Sequence, residues 1–145
     1  MISSSSLVDS NLLVYSENKD SPFFDSSNDF LTKNFSYGRL FVAQQNLVEF
    51  YAIVTDPKRA LNPKTADQAT QVIKSWIKGE IFRIISPSKR SLESLVNLLR
   101  IYPAKGQEIF DVYLAATMID NDIATIYTAD TKIFKKLGLK AVNPL

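Results

Sequence analysis

The chain has 145 residues, of which 46% are hydrophobic and 22% charged, as expected of one globular domain with a sizeable core. Its 17 basic and 15 acidic residues nearly balance, so the net charge of +2 does not by itself indicate a nucleic-acid partner. The lack of cysteine and histidine excludes disulfides, thiolate nucleophiles, histidine general bases and zinc sites built from these residues.

The first third of the sequence predicts two short strands with a helix between them. The apolar residues before Asp9 form a short buried strand, which we expect to be followed by a turn. Residues 20–22 have the composition of a helix start, and that helix ends near Asn34. Residues 39–43 form the second strand.

The remaining sequence continues the alternation of strands and helices. Residues 45–55 and 62–79 carry apolar side chains at helical spacing. Beyond them we predict a strand at 81–85, a helix containing 92–99, a break at 103–106, a helix at 109–120, a strand at 124–128, a short turn or helix at 132–137, and a strand at 139–142. This alternation predicts an α/β domain with a mainly parallel central sheet.

The sequence also bears on location and domain number. No stretch of about 18 apolar residues occurs, so we expect no contact with a membrane. Residues 1–6 lack the basic and long apolar segments of a secretory signal, and we therefore expect a cytoplasmic protein. No linker or repeat divides the sequence, which predicts a single domain over residues 1–145.

Four acidic residues are predicted to lie at one edge of this sheet. Asp9 ends the first strand, Asp130 follows the strand at 124–128, and Glu49 and Asp111 interrupt apolar runs near the starts of two helices. Ligands of open α/β sheets bind at the carboxyl ends of the strands. Clustered carboxylates repel one another unless they are protonated or bind a cation, and they suit magnesium or manganese. The pattern therefore indicates carboxylate–metal chemistry.

Each of these acids also has an ordinary structural interpretation. Asp9 suits a turn, Glu49 a half-exposed helical position, and Asp111 the first turn of a helix. Asp130 suits a helix N-cap. Only the convergence of all four on one sheet edge favours a functional interpretation.

The sequence resembles PIN-domain nucleases, especially the VapC-like toxins of bacterial type II toxin–antitoxin modules. The resemblance spans nearly the whole chain, and its specificity lies in the order and spacing of its segments. These are LVDSNLLVY (7–15), NLVEF (46–50), TDPKR (55–59), IFDVYLAAT (109–117), YTADTKIF (127–134) and the ending VNP (142–144).

The resemblance implies a three-layer α/β/α fold and cleavage of RNA that depends on Mg²⁺ or Mn²⁺. It makes Asp9, Glu49, Asp111 and Asp130 the catalytic, metal-binding acids, and Ser10 and Thr128 the hydroxyls that orient them or a water. It further implies a homodimer and an antitoxin protein as partner. Many relatives have histidine where Tyr113 stands, a position that we take as supportive rather than essential.

Six basic residues are candidates for holding the RNA backbone, although solvated surface is the ordinary interpretation of such side chains. They are Lys58, Arg59, Lys64, Lys132, Lys135 and Lys136. Three alternatives stay open: a non-catalytic PIN-like module that binds RNA or protein, a DNA nuclease, and a phosphatase-type domain. Asn11 argues against one form of the last, which requires a second aspartate two residues after the first.

Overall fold

The computed structural model describes residues 4–35, 38–79 and 81–145, within which the chain forms five strands and seven helices. The strands are β1 (Ser6–Val8), β2 (Leu40–Ala43), β3 (Arg83–Ile85), β4 (Thr125–Tyr127) and β5 (Lys140–Val142). The helices are α1 (Ser10–Ser16), α2 (Phe24–Asn34), α3 (Gln44–Val54), α4 (Ala66–Lys78), α5 (Lys89–Ile101), α6 (Glu108–Asp120) and α7 (Thr131–Lys136). The expectation about residues 1–6 falls partly on residues 1–3, which lie outside the described residues.

The strands form one sheet in the order β3-β2-β1-β4-β5, and every neighbouring pair is parallel. Ser6 of β1 is in register with Leu40 on one side and with Thr125 on the other. The chain thus builds outward from β1 through β2 to β3, and then returns to add β4 and β5 on the opposite side. The reversal lies between β1 and β4, which is where open α/β sheets bind their ligands.

Helices cover both faces of the sheet. Successive side chains of β1 point to opposite faces and therefore enter different apolar clusters. Leu7 joins the cluster that contains Val112 of α6 and Phe134 of α7. Val8 joins the second cluster, with Leu12 of α1 and Phe50 of α3. The predicted three-layer α/β/α architecture with a mainly parallel sheet is therefore confirmed.

The turn predicted after Asp9 is wrong, because Ser10–Ser16 form α1. Asp9 itself is the N-cap of this helix, and its side chain accepts a hydrogen bond from the backbone N–H of Ser10. Leu12 and Leu13 are fully buried. Seven residues are too few to display a helical repeat in the sequence, so the burial of this pair stabilises a helix that its pattern does not reveal.

None of the helices in the described part of the chain has the length and apolarity needed to cross a membrane.

The aromatic contacts around Trp76 provide a test of the fold. Phe50 is fully buried and lies 4.8 Å from Trp76 between ring centroids. We expect Phe50→Ala to lower the free energy of unfolding by about 3–5 kcal/mol, because it leaves a cavity in the core. Urea unfolding followed by the fluorescence of Trp76, which is the single tryptophan, measures the loss.

Leu61→Ala is the matched control, because Leu61 is 80% exposed. It should change the unfolding free energy by less than about 0.5 kcal/mol. Equal losses in the two variants would contradict the assignment of Phe50 to the core.

Candidate active site

Asp9 is held at the end of β1 by bonds to both neighbouring segments. Its backbone N–H donates to the carbonyl of Tyr127 at 3.0 Å, which continues the pairing of β1 with β4. One carboxylate oxygen accepts from the N–H of Ser10 at 2.7 Å, and the other from the hydroxyl of Thr128 at 2.8 Å. Burial raises the pKa of Asp9, and these hydrogen bonds oppose the increase.

Thr128 joins the ends of β1 and β4 through its hydroxyl. This group donates to Asp9 and accepts from the Asn11 amide at 3.2 Å and from the backbone N–H of Asp130 at 3.1 Å. A hydroxyl can donate one hydrogen bond and accept two, so the hydrogen-bonding capacity of the Thr128 hydroxyl is fully occupied. The side-chain oxygen of Asn11, Oδ1, also accepts a hydrogen bond from the backbone N–H of Ala129 at 3.3 Å. Sequence reasoning missed the contribution of Asn11.

Glu49 lies on α3, on the same side of that helix as Gln45, one turn earlier. Burial raises the pKa of Glu49 from 4.5 to about 7; a hydrogen bond from Gln45 lowers it, and the charges of Asp9 and Asp111 add to the increase. Gln45 also donates to the carbonyl of Phe110 at 2.9 Å, so it ties Glu49 to the start of α6. Sequence reasoning missed Gln45, although its spacing of four residues from Glu49 was a usable signal.

Asp111 is half-buried in the first turn of α6. Burial, followed by the charges of Asp9 and Asp130, raises its pKa from 3.8 to about 6. Asp130 is exposed at the start of α7, where its side chain makes no capping hydrogen bond. The structure thus brings the four predicted acids within electrostatic reach of one another, since Asp9 interacts with each of the other three.

The cluster has the donor chemistry of a site for a hard divalent cation. It offers carboxylate oxygens, which such ions prefer, and within the described chain one oxygen of Glu49 is buried without a hydrogen-bond partner. As the side chains stand, no three acids among the described residues converge closely enough to hold one ion. Coordination by three of them therefore requires their side chains to rotate toward a common point.

Two clefts bear on the predicted RNA-binding residues. The smaller cleft, of about 260 Å³, is lined by Asp111, Asp130, Tyr102, Glu108, Lys132 and Lys136. A larger cleft, of about 570 Å³, contains Arg59 and Lys64 but none of the four acids. Cleft size therefore does not identify the active site. Lys64 approaches Glu17 at 3.9 Å, whereas Lys58 and Lys135 are exposed and line neither cleft.

A family model of the PIN domain matches residues 6–140. The chain belongs to the PIN-domain family. The match covers β1 to β4 of this PIN domain, the first residue of β5 and all four acids of the cluster.

Individual relatives of this PIN domain are distant in sequence and similar in fold. Ribonuclease VapC24 of Mycobacterium tuberculosis is 23% identical over 137 residues, which cover 93% of this chain and 92% of the relative. The crystal structure of VapC20 from M. tuberculosis, described as a Sarcin-Ricin loop cleaving toxin, superposes with a TM-score of 0.73 at 14% identity, over 97% of this chain and 100% of that one. A chain of a toxin–antitoxin complex from Klebsiella pneumoniae gives a TM-score of 0.66 at 19% identity, over 97% and 98%.

The bonds of Thr128 predict a specific loss of stability. Thr128→Val keeps the shape of the side chain but leaves the Asn11 amide and the N–H of Asp130 without their acceptor. We expect the free energy of unfolding to fall by about 1–3 kcal/mol. Thr128→Ser keeps the hydroxyl and should lose less in the same urea titration; a Val variant as stable as the wild type would show that the bonds do not matter.

The raised pKa of Glu49 predicts a pH-dependent stability in the presence of EDTA. The folded chain holds this proton more tightly than the unfolded chain, so the unfolding free energy falls as the pH rises from 4.5 to about 7. Glu49→Gln removes this loss. We expect the variant to melt about 2–8 °C above the wild type near pH 8, and at the same temperature near pH 4.

Glu93→Gln, at an exposed position on α5, is the control and should leave the melting temperature unchanged at both pH values. A Glu49→Gln variant that is no more stable than the wild type near pH 8 would mean that burial and the neighbouring charges do not raise the pKa of Glu49 in the folded chain.

Proposed function

We propose that this PIN domain is a divalent-metal-dependent endoribonuclease that uses Mg²⁺ or Mn²⁺. The observation that carries the proposal is the electrostatic interaction of Asp9, at the reversal point of the sheet, with three further carboxylates, those of Glu49, Asp111 and Asp130. Such an arrangement is unfavourable for stability, because burial and the charges of neighbouring carboxylates raise the pKa values of Glu49 and Asp111. A site that binds a cation and a phosphodiester accounts for it. Ribonuclease VapC24, similar along 93% of this chain, favours RNA over DNA as the substrate.

Each acid has a proposed part in this site. Asp9, Asp111 and Asp130 would hold the metal ion, and Glu49 would complete or hydrogen-bond the cluster. Once bound, the ion would activate a water molecule and offset negative charge on the scissile phosphate. Ser10 and Thr128, which donate to Asp9, would keep its carboxylate in the orientation for binding.

The six basic residues predicted from the sequence differ in how well their positions suit RNA binding. Lys132 and Lys136 line the same cleft as two of the acids, so they are the strongest candidates for contacts with the backbone. Arg59 interacts electrostatically with Glu49, which makes it a further candidate for a contact with the RNA. Lys64 is partly neutralised by Glu17. For Lys58 and Lys135, exposure to solvent is the one feature that supports a contact with RNA.

We further propose that the chain is the toxin of a type II toxin–antitoxin pair and acts as a cytoplasmic homodimer. The fold shared with a chain of the K. pneumoniae toxin–antitoxin complex supports an antitoxin protein as the partner. Induction of this chain alone should arrest bacterial growth, and co-expression of a cognate neighbouring gene should restore it. Light scattering of the purified chain should give twice the mass of 16.3 kDa.

Metal and carboxylate dependence together test the enzymatic proposal. Purified protein is incubated with a mixture of transfer and messenger RNA in Mg²⁺, in Mn²⁺ or in EDTA, and the products are separated on denaturing gels. Cleavage should require the metal, and Asp9→Asn or Asp111→Asn should slow it by about 100-fold or more, since even the partners of metal ligands contribute 10- to 100-fold.

Asp67→Asn is the matched control, because Asp67 is an exposed aspartate in the first turn of α4. Its variant should cleave at the wild-type rate. Folded, partner-free protein that leaves RNA intact but still binds it would replace the nuclease with a binding module, and cleavage of single-stranded DNA alone would change the substrate.

A further inference from the structure

The smaller cleft combines an aromatic ring and two ammonium groups with two acids of the cluster. Tyr102 and the pair Lys132 and Lys136 face the same space as Asp111 and Asp130. Its volume of about 260 Å³ is below the roughly 300–1,000 Å³ of pockets for drug-sized ligands. A cleft of this size suits one small planar group next to the acids.

The ring of Tyr102 is held in place by the first turn of α6. Tyr102 ends α5, and its hydroxyl donates to one carboxylate oxygen of Glu108 at 2.7 Å. The other oxygen of Glu108 accepts from the backbone N–H of Lys105 at 3.1 Å, which fixes the turn between the two helices. Glu108 precedes Asp111 by three residues on the same helix, so one element positions both the ring and the acid.

Two cations of α7 complete the cleft. Lys132 and Lys136 are four residues apart and therefore lie on the same side of this helix, which begins directly after Asp130. The ammonium of Lys136 lies 5.8 Å from the centroid of the Tyr102 ring. Both lysines are exposed, and neither forms a salt bridge with another described residue, so both are available to an anionic ligand.

We propose that the smaller cleft is a nucleotide subsite, in which Tyr102 stacks on the base next to the cleaved phosphodiester and Lys132 and Lys136 contact the neighbouring phosphate. The inference rests on the proposed ribonuclease function and adds a substrate-positioning aromatic residue to it. Aromatic stacking accepts any base, because every base has a π face. The two lysines attract the phosphate of a nucleotide by their opposite charge.

Binding to a non-cleaving protein tests the subsite. The cleavage site is first mapped with wild-type protein, and a labelled single-stranded RNA that spans it is then titrated against Asp9→Asn protein by fluorescence anisotropy. Tyr102 packs against the apolar core, so Tyr102→Leu is the variant of choice: it keeps the packing and removes the π face. Tyr102→Leu should raise Kd by about 5- to 100-fold, and Tyr102→Phe by less than about threefold.

Abasic substitutions separate stacking from a merely structural effect. With an abasic RNA at the stacked position, Tyr102→Leu should have no further effect on Kd, whereas at all other positions its effect should persist. Tyr51→Ala, at an exposed tyrosine of α3, is the control and should leave Kd unchanged. The double variant Lys132→Gln/Lys136→Gln should reduce the slope of log K against log salt by about 0.7 per lost phosphate contact, while Lys74→Gln should not.

The outcomes distinguish the subsite from the activity on which it rests. Two outcomes would overturn the subsite alone while wild-type protein still cleaves RNA. One is an unchanged Kd for Tyr102→Leu, and the other is a loss of affinity of equal size on every abasic RNA. If Tyr102→Leu raises the Kd for a basic peptide but not the Kd for RNA, the cleft is assigned to a protein partner instead. Failure of wild-type protein to cleave any RNA would overturn the ribonuclease, and the subsite with it.

Discussion

The pairing of β1 with β4 is the constraint on which the acidic cluster depends. These strands are distant in the sequence, yet they are neighbours because the chain reverses its direction of strand addition between them. The parallel register brings the ends of both strands to the same edge, and the bond from Thr128 to Asp9 closes that edge at 2.8 Å. Asn11 and the N–H of Asp130 then complete the same network. A shift in register of one residue would turn these side chains to the other face of the sheet and dismantle the site.

The network places like charges together, and this is a cost that the fold carries for its function. The raised pKa values of Glu49, about 7, and Asp111, about 6, reflect burial first and then the charges of neighbouring carboxylates. Hydrogen bonding offsets only part of this cost, since Gln45 lowers the pKa of Glu49 less than burial raises it, and one oxygen of Glu49 is buried without a partner among the described residues. A bound cation would offset the like charges and give the free oxygen of Glu49 a partner, and the binding would stabilise the folded chain.

The sequence located the acids that follow strand ends or interrupt apolar runs of helices, and it missed the residues that depend on side-chain contacts between elements. Asp9 and Asp130 could be located because buried strands are recognisable, and the ends of parallel strands share an edge. Helix α1 could not, since its seven residues begin with the composition of a turn. Asn11 and Gln45 act on residues more than sixty positions away along the chain, and no local pattern encodes such a contact. The family resemblance supplied Ser10 and Thr128, which spacing alone could not assign.

The packing of α5 against α6 fixes the position of Asp111 in the cluster. At the end of α6, Asp120 accepts hydrogen bonds from Ser88 and Arg90 at the start of α5, so the two antiparallel helices are fixed at that end. At the other end, Glu108 holds Tyr102. Bonds at both ends oppose rotation of α6 about its axis and sliding along it, and Asp111 lies within one turn of Glu108. The position of that acid relative to Asp9 is therefore set by contacts on both sides of it, and the same contacts place an aromatic ring beside it.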